Sequence, residues 1–102
     1  LWTAARYKVG VVFVIFNNRS YGNDEGHQEF MARERERNIE NKGIGIHLDD
    51  PVTDFAALAR SFGVTAFGPV VDPDDLRSTF RQAVDIVKGG RPALVDVHTQ
   101  PR

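Results

Sequence analysis

From Val11 to Phe16 the chain reads Val-Val-Phe-Val-Ile-Phe, β-branched or aromatic throughout and without a polar interruption. A strand with one wet face alternates apolar and polar side chains. An unbroken run therefore suits a strand covered on both faces, as in a parallel sheet flanked by helices. The run stops at Asn17-Asn18, short amides that tolerate turn geometry. Arg6 and Lys8 precede the apolar stretch, as in a secretory signal, but Asn17-Asn18-Arg19 stands where the small residues of a cleavage site belong. The stretch is also far short of the roughly 20 apolar residues that a membrane helix needs. A buried strand accounts for it better.

The rest of the chain supplies partners for that strand. Leu1 to Tyr7 reads as the tail of a helix whose beginning lies upstream, and a chain that opens at Leu1 without a methionine is expected to be a piece of something longer. Residues 19 to 28, with Gly22, Asn23, Asp24 and Gly26, read as a loop. Gln28 to Asn38 holds strong helix formers and the alternating run Arg33-Glu34-Arg35-Glu36-Arg37, which fits a solvated helical face. Asn41 to Asp50 has scattered glycines and no period, as loops do. Thr53 is placed to cap a helix running to about Phe62, with Phe55, Leu58, Ala59 and Phe62 on one face and Gly63 as the left-handed residue that ends it. Val64 to Val71 forms a short strand broken by Gly68-Pro69. Asp72 then caps a helix with Pro73 in its first position and Asp74 and Asp75 in its first turn. Leu76, Phe80, Ala83, Val84 and Val87 make its buried stripe, and Gly89-Gly90 stops it. Ala93 to Val97 is a third strand.

Strands alternating with helices predict an α/β fold with about three parallel strands, flanking helices and right-handed crossovers. The first strand is the most apolar and is expected to be central in the intact protein. Size and composition agree with this class. The 102 residues make one domain or part of one, 41% hydrophobic and 26% charged. A net charge of −1 gives no reason to invoke nucleic acid or an acidic membrane surface. The chain has no cysteine, which removes disulfides, thiolate metal sites and a cysteine nucleophile. The redox compartment stays undecided, and a cytoplasmic location is taken as the default. No internal repeat or low-complexity tract is present.

In open α/β sheets, ligands bind beyond the carboxyl ends of the strands. Only the first strand ends in a polar cluster with an evident task, Asn17-Asn18-Arg19-Ser20-Tyr21-Gly22. An asparagine carboxamide oxygen and a free loop carbonyl are hard, neutral ligands suited to magnesium or calcium, and an ion held this way keeps waters and bridges to phosphate oxygens. On spacing alone, paired asparagines after a strand are more often turn formers. His27 lies near the cluster and has a side chain suited to carrying a proton. The sequence names no role for His47, at a loop, or His98, at a strand end, and no pair of histidines has metal-ligand spacing. Asp49-Asp50 and the acidic group Asp72, Asp74 and Asp75 fit a turn and a helix start. No catalytic residue is assigned in this chain.

The stretch from Leu1 to Tyr7 through Phe13-Val14-Ile15-Phe16-Asn17-Asn18-Arg19-Ser20-Tyr21-Gly22 resembles the C-terminal cofactor-binding domain of thiamine-diphosphate-dependent enzymes, in particular the benzoylformate decarboxylase and acetolactate synthase group. The likeness continues in Asp54-Phe55-Ala56-Ala57-Leu58-Ala59 with Phe62-Gly63, and in Pro92-Ala93-Leu94-Val95-Asp96-Val97, so it covers nearly the whole chain. The resemblance implies the later half of a three-layer sandwich, with residues 1–102 as the C-terminal part of a cofactor-binding domain. It implies thiamine diphosphate and Mg2+ as cofactors, with Asn18 giving its side chain and Ser20 its backbone carbonyl to the metal. Tyr21 and Gly22 would lie against the diphosphate and the mouth of the substrate pocket, while Asn17 fixes the turn. It also implies a 2-oxo acid substrate, decarboxylation or carboligation, and a homo-oligomer, dimer or tetramer, in the intact enzyme.

Two departures bound these expectations. The family's cofactor motif begins at Gly-Asp-Gly, whose aspartate is a metal ligand, and that half does not occur in these residues. The family's activating glutamate comes from an N-terminal domain of the partner subunit. The chain alone is therefore expected neither to hold the cofactor tightly nor to catalyse. The polar run from Asn23 to Glu29 also differs from the apolar residues that some relatives place over the substrate. The alternative from another class is a non-catalytic, flavodoxin-like α/β module that binds a partner through its sheet edge.

Overall fold

A computed structural model describes residues 1–100. Its elements in chain order are α1 (Trp2–Tyr7), β1 (Val12–Asn17), α2 (Gly22–Glu34), a 3-10 turn (Glu40–Gly43), α3 (Phe55–Ser61), β2 (Thr65–Val70), α4 (Pro73–Lys88) and β3 (Ala93–His98). They fall into two compact units. One is built from Leu1–Asn17 and Asp54–Thr99, the other on Asn18–Thr53.

The first unit is the predicted α/β layer structure. Its three strands are all parallel and lie in the order β1-β3-β2. β3, the last in sequence, is thus the middle strand, and among the described residues β1 pairs on one side only. Successive residues of a strand face opposite ways, and each face of the sheet has its own core. On one face Val12, Val14, Phe67, Val70, Ala93, Val95 and Val97 meet Leu76, Phe80, Ala83, Ile86 and Val87 of α4. On the other, Phe13, Ile15, Ala66 and Leu94 meet Leu1 and Ala5 at α1 and Phe55 and Ala59 of α3. Each fully buried Leu or Val in such a layer contributes about 1.5–3 kcal/mol relative to leaving it exposed. Among the described residues, Leu94 and Val95 are almost completely sealed.

Local signals explain the helix ends. Asp72 caps α4 by accepting from the Asp74 N–H at 2.9 Å, with Pro73 behind it. α3 is capped by Asp54, whose carboxylate accepts from the Ala57 N–H at 2.7 Å, and not by Thr53. Both are cap-type residues, and the carboxylate one position later is the one that meets the free amide. Gly63, at φ +77°, makes the left-handed exit. Two expected stripes are narrower than their spacing suggests. Val84 of α4 and Leu58 and Phe62 at α3 are exposed, while Ala56, Ala59 and Ala83 are fully buried. Ala59 and Ala83 belong to the cores on the two faces of the sheet, and their larger neighbours stay exposed.

β2 departs from regular pairing. Its register to β3 runs Thr65↔Ala93, Ala66↔Leu94 and Phe67↔Val95, then shifts before Val70↔Val97, so Gly68 and Pro69 together oppose Asp96. A side chain at Gly68 would meet the Asp96 carbonyl oxygen at 2.7 Å and its Cβ at 2.9 Å, at a φ of +130° that L-residues rarely adopt.

The second unit differs from expectation at its start. Residues 22 to 28 belong to α2, not to a loop, and the helix ends at Glu34 rather than at Asn38. Asp24 and Glu25 in its first turn favour that start despite Gly22, Asn23 and Gly26. α2 has no buried residue. Glu29 holds it in place, accepting from Arg33 one turn on at 2.7 Å and from Lys42 beyond the helix at 2.6 Å. Glu25 adds a longer contact to Lys42 at 3.6 Å. No helix among the described residues is long and apolar enough to cross a membrane.

Candidate functional site

The segment after β1 is shaped by a side chain acting on the backbone. The Ser20 N–H donates to the Asn18 side-chain oxygen at 3.1 Å, two residues back, which is the Asx turn that a short amide favours. Arg19, between them, takes a positive φ of 54°. Ser20 then forms an isolated antiparallel bridge with His47. The bonds of that bridge run from the Tyr21 N–H to the Ile46 carbonyl at 3.0 Å and from the Leu48 N–H to the Arg19 carbonyl at 2.8 Å. This is the pairing in which the opposed residues exchange no bonds of their own. The N–H and C=O of Ser20 consequently point away from the His47 segment. Its N–H goes to Asn18, and its carbonyl takes no part in the bridge. The Asn18 Oδ1 and the Ser20 carbonyl oxygen thus lie on the same side of the segment. Both are neutral, hard oxygens, and each keeps a lone pair.

The residues expected to form the site are therefore brought together in one unit. Asn18 is half-buried and Ser20 buried at 7% exposure, while the Tyr21 ring is exposed. Tyr21 precedes the first residue of α2 and caps it without a side-chain bond. The N–H groups of Gly22 and Asn23 lie in the turn that has no intrahelical acceptor. His27 lies exposed on α2 rather than in a loop. His47 sits on the bridge, and Gly43 lets its ring approach closely, since a Cβ there would stand 3.0 Å from Nε2. His98 ends β3 in register with Asn17, in the other unit.

The donor set suits a magnesium ion that also touches phosphate oxygens, because such an ion accepts neutral oxygen ligands and keeps waters. It is incomplete in charge. Among the described residues, no group of three or more His, Cys, Asp or Glu comes together to hold a metal. The ionisable network nearest in sequence is the Glu29 cluster. Hydrogen bonds from Lys42 and Arg33 pull the Glu29 carboxyl from 4.5 down to about 2, and the same contact raises Lys42 above its usual value. These are exposed ion pairs that brace α2.

Two polar residues that the sequence did not assign to the metal or cofactor, Asn17 expected only to fix the turn, stand out for their burial. Asn17 is 5% exposed and Asp96 1% exposed, and among the described residues neither the Asn17 Nδ2 nor either Asp96 carboxylate oxygen has a hydrogen-bond partner. For Asp96 a signal was available, since it is the only charged residue in the apolar run Ala93 to Val97.

Comparison with known proteins gives a consistent result. A family model described as "Thiamine pyrophosphate enzyme, C-terminal TPP binding domain" matches residues 1–97. The chain is 32% identical over 100 residues to a benzoylformate decarboxylase of Pseudomonas aeruginosa, a match covering 98% of this chain and 16% of that protein. It is 29% identical over 101 residues to a probable acetolactate synthase large subunit of Methanocaldococcus jannaschii, covering 99% of this chain and 15% of the relative. The chain thus spans about a sixth of the length of these relatives. The alternative of a non-catalytic flavodoxin-like module gains no support from these matches.

Proposed function

Because the chain belongs to the family of C-terminal TPP-binding domains of thiamine pyrophosphate enzymes, we propose that it supplies the Asn-Asn half of a magnesium–diphosphate site. Asn18 gives its side-chain oxygen to the metal and Ser20 its backbone carbonyl. The observation behind this assignment is the Asx turn and bridge around Ser20, which leave those two oxygens on one side of the segment. Tyr21 and Gly22 border the diphosphate, with the amides of Gly22 and Asn23 at the start of α2 available to an anion. The Tyr21 and Leu48 N–H groups tie this loop to its partner segment by donating to the Ile46 and Arg19 carbonyls.

In the intact protein the reaction class is decarboxylation or carboligation of a 2-oxo acid, as the names of the two relatives suggest. Thiamine diphosphate, when bound, supplies the electron sink for breaking or making a carbon–carbon bond at the 2-oxo carbon. The part of this chain is to fix the diphosphate end through the metal and to aim the cofactor. The aspartate that balances the metal's charge and the group that activates the cofactor come from outside residues 1–102, in a cytoplasmic homo-oligomer. The chain by itself is inactive and holds the cofactor weakly.

Calorimetric titration of the intact protein with magnesium and thiamine diphosphate, wild type against Asn18→Ala, tests the assignment. Loss of a ligand should weaken apparent magnesium affinity by more than the roughly tenfold that even an outer supporting group is worth. Unchanged affinity in Asn18→Ala would remove Asn18 from the metal site.

A further inference from the structure

Asn17 and Asp96 lie on the same face of the sheet. The core on the α1 and α3 side takes Phe13 and Ile15 from β1 and Leu94 from β3, so alternation puts Asn17 and Asp96 on that side too. The register sets Ile15 beside Asp96 and Asn17 beside His98, which makes Asn17 and Asp96 diagonal neighbours on paired strands. One residue brings a buried donor without an acceptor, and the other brings two buried acceptors without a donor. Buried polar groups are almost always satisfied in folded proteins. From the strand spacing and the rise per residue, the two backbone positions are about 8 Å apart. The two side chains do not bond each other directly, and this separation leaves room for a single bridging water, which needs two to four polar partners. Gly68 and Pro69 bulge against the other flank of Asp96, and the missing side chain at Gly68 is what lets that backbone come so close.

We propose that Asn17 and Asp96 are a coupled pair, joined through one buried water, in which Asp96 is a positioning residue that pins the end of β1. Asn17 is the last residue of β1, and the next residue in the chain is Asn18. The Asn17 carbonyl is already fixed to the β3 side by the Thr99 N–H at 3.1 Å. The side-chain bridge fixes the same residue a second time, in rotation as well as in position. The coupling stands independently of the metal, and only its effect on the cofactor rests on the assignment of Asn18 above.

The experiment is a double-mutant cycle in the intact protein, with thermal unfolding measured without added cofactor and magnesium titration measured with thiamine diphosphate. Asp96→Leu should lower Tm by about 2–4 °C, because it strands the Asn17 donor. A carboxylate that is merely an unpaired buried group would give the opposite sign, since replacing it by an apolar side chain would raise Tm. The double variant Asn17→Ala/Asp96→Leu should be no less stable than the worse single variant, and strict additivity would overturn the pair. In the titration, Asp96→Leu should weaken apparent magnesium affinity about tenfold, and Asp96→Asn, which keeps an acceptor oxygen, should restore most of it. If Asn18→Ala leaves magnesium binding unchanged, the metal assignment falls while the unfolding cycle still decides the pair. A high-resolution structure of the wild-type protein decides it without variants. A water bonded to both side chains supports the bridge, and a donor from elsewhere on Asp96 with no link to Asn17 overturns it.

Discussion

The two units of this chain are stabilised by different means. The sheet unit buries apolar side chains on both faces of β3 and caps α3 and α4 with aspartates. In the unit on Asn18–Thr53, Ile46 is the one buried apolar side chain among the described residues, while Tyr21, Phe30, Ile44, Leu48 and Val52 face solvent. Its order comes from backbone bonds around Ser20 and from the ion pairs of Glu29. Apolar burial is worth about 1.5–3 kcal/mol per large side chain, whereas exposed ion pairs are screened by water and hold little. The contrast places the proposed metal ligands in the more weakly held unit, as expected where a segment must accommodate a ligand.

The strongest way to break this contrast is in the sheet. Leu94→Ala should destabilise the intact protein by roughly 2–5 kcal/mol in denaturant unfolding, the range for emptying a sealed leucine site. A loss below about 1 kcal/mol would mean that β3 is not the central support. Ile46→Ala sharpens the contrast from the other side. It should cost about 2 kcal/mol locally, at the low end for such truncations. Amide hydrogen exchange should show residues 18–53 losing protection while 93–98 keep theirs. Equal loss in both would show the two units to unfold as one.

The smallest effect is that of pH on α2. Glu29 titrates lower when folded, so its contribution is complete above its unfolded value of 4.5 and is lost as pH falls toward about 2. Lys42 titrates higher when folded, so its share is present below its usual 10.5 and fades as pH rises beyond that. An NMR titration of the Glu29 carboxyl should find its midpoint well under 4.5, moving back toward that value in high salt. A midpoint near 4.5 at low salt would remove the ion pairs from the account of α2.

The same contrast separates what the sequence reveals from what it hides. β1, the Asp72-Pro73 start of α4 and the Gly63 exit are local chemistry, legible because the residue itself sets the backbone angle or supplies the cap. The start of α2 was not legible. Gly22, Asn23 and Gly26 favour a loop, and the restraint on them comes partly from Lys42, distant in sequence. The placement of β3 between β1 and β2 is also non-local, since strand order follows from which layers pack and not from any one segment. For the site, family resemblance and strand-end position singled out Asn18 and Ser20, while the orientation of the Ser20 carbonyl required knowing that His47 lies opposite. The burial of Asp96 had one local sign, its place as the only charged residue in the apolar run Ala93 to Val97, set against the ordinary preference of an aspartate for water.

The strand order has a consequence for the life of the protein before it is folded. The middle strand is the last of the three to be synthesised, so β1 and β2 leave the ribosome without the neighbour they share. Residues 12 to 17 and 65 to 70 pair with each other nowhere, and both wait for residues 93 to 98. Until then the side of the Val-Val-Phe-Val-Ile-Phe strand that β3 will cover is an open apolar edge in the nascent chain, the kind of edge that aggregates when it is left waiting.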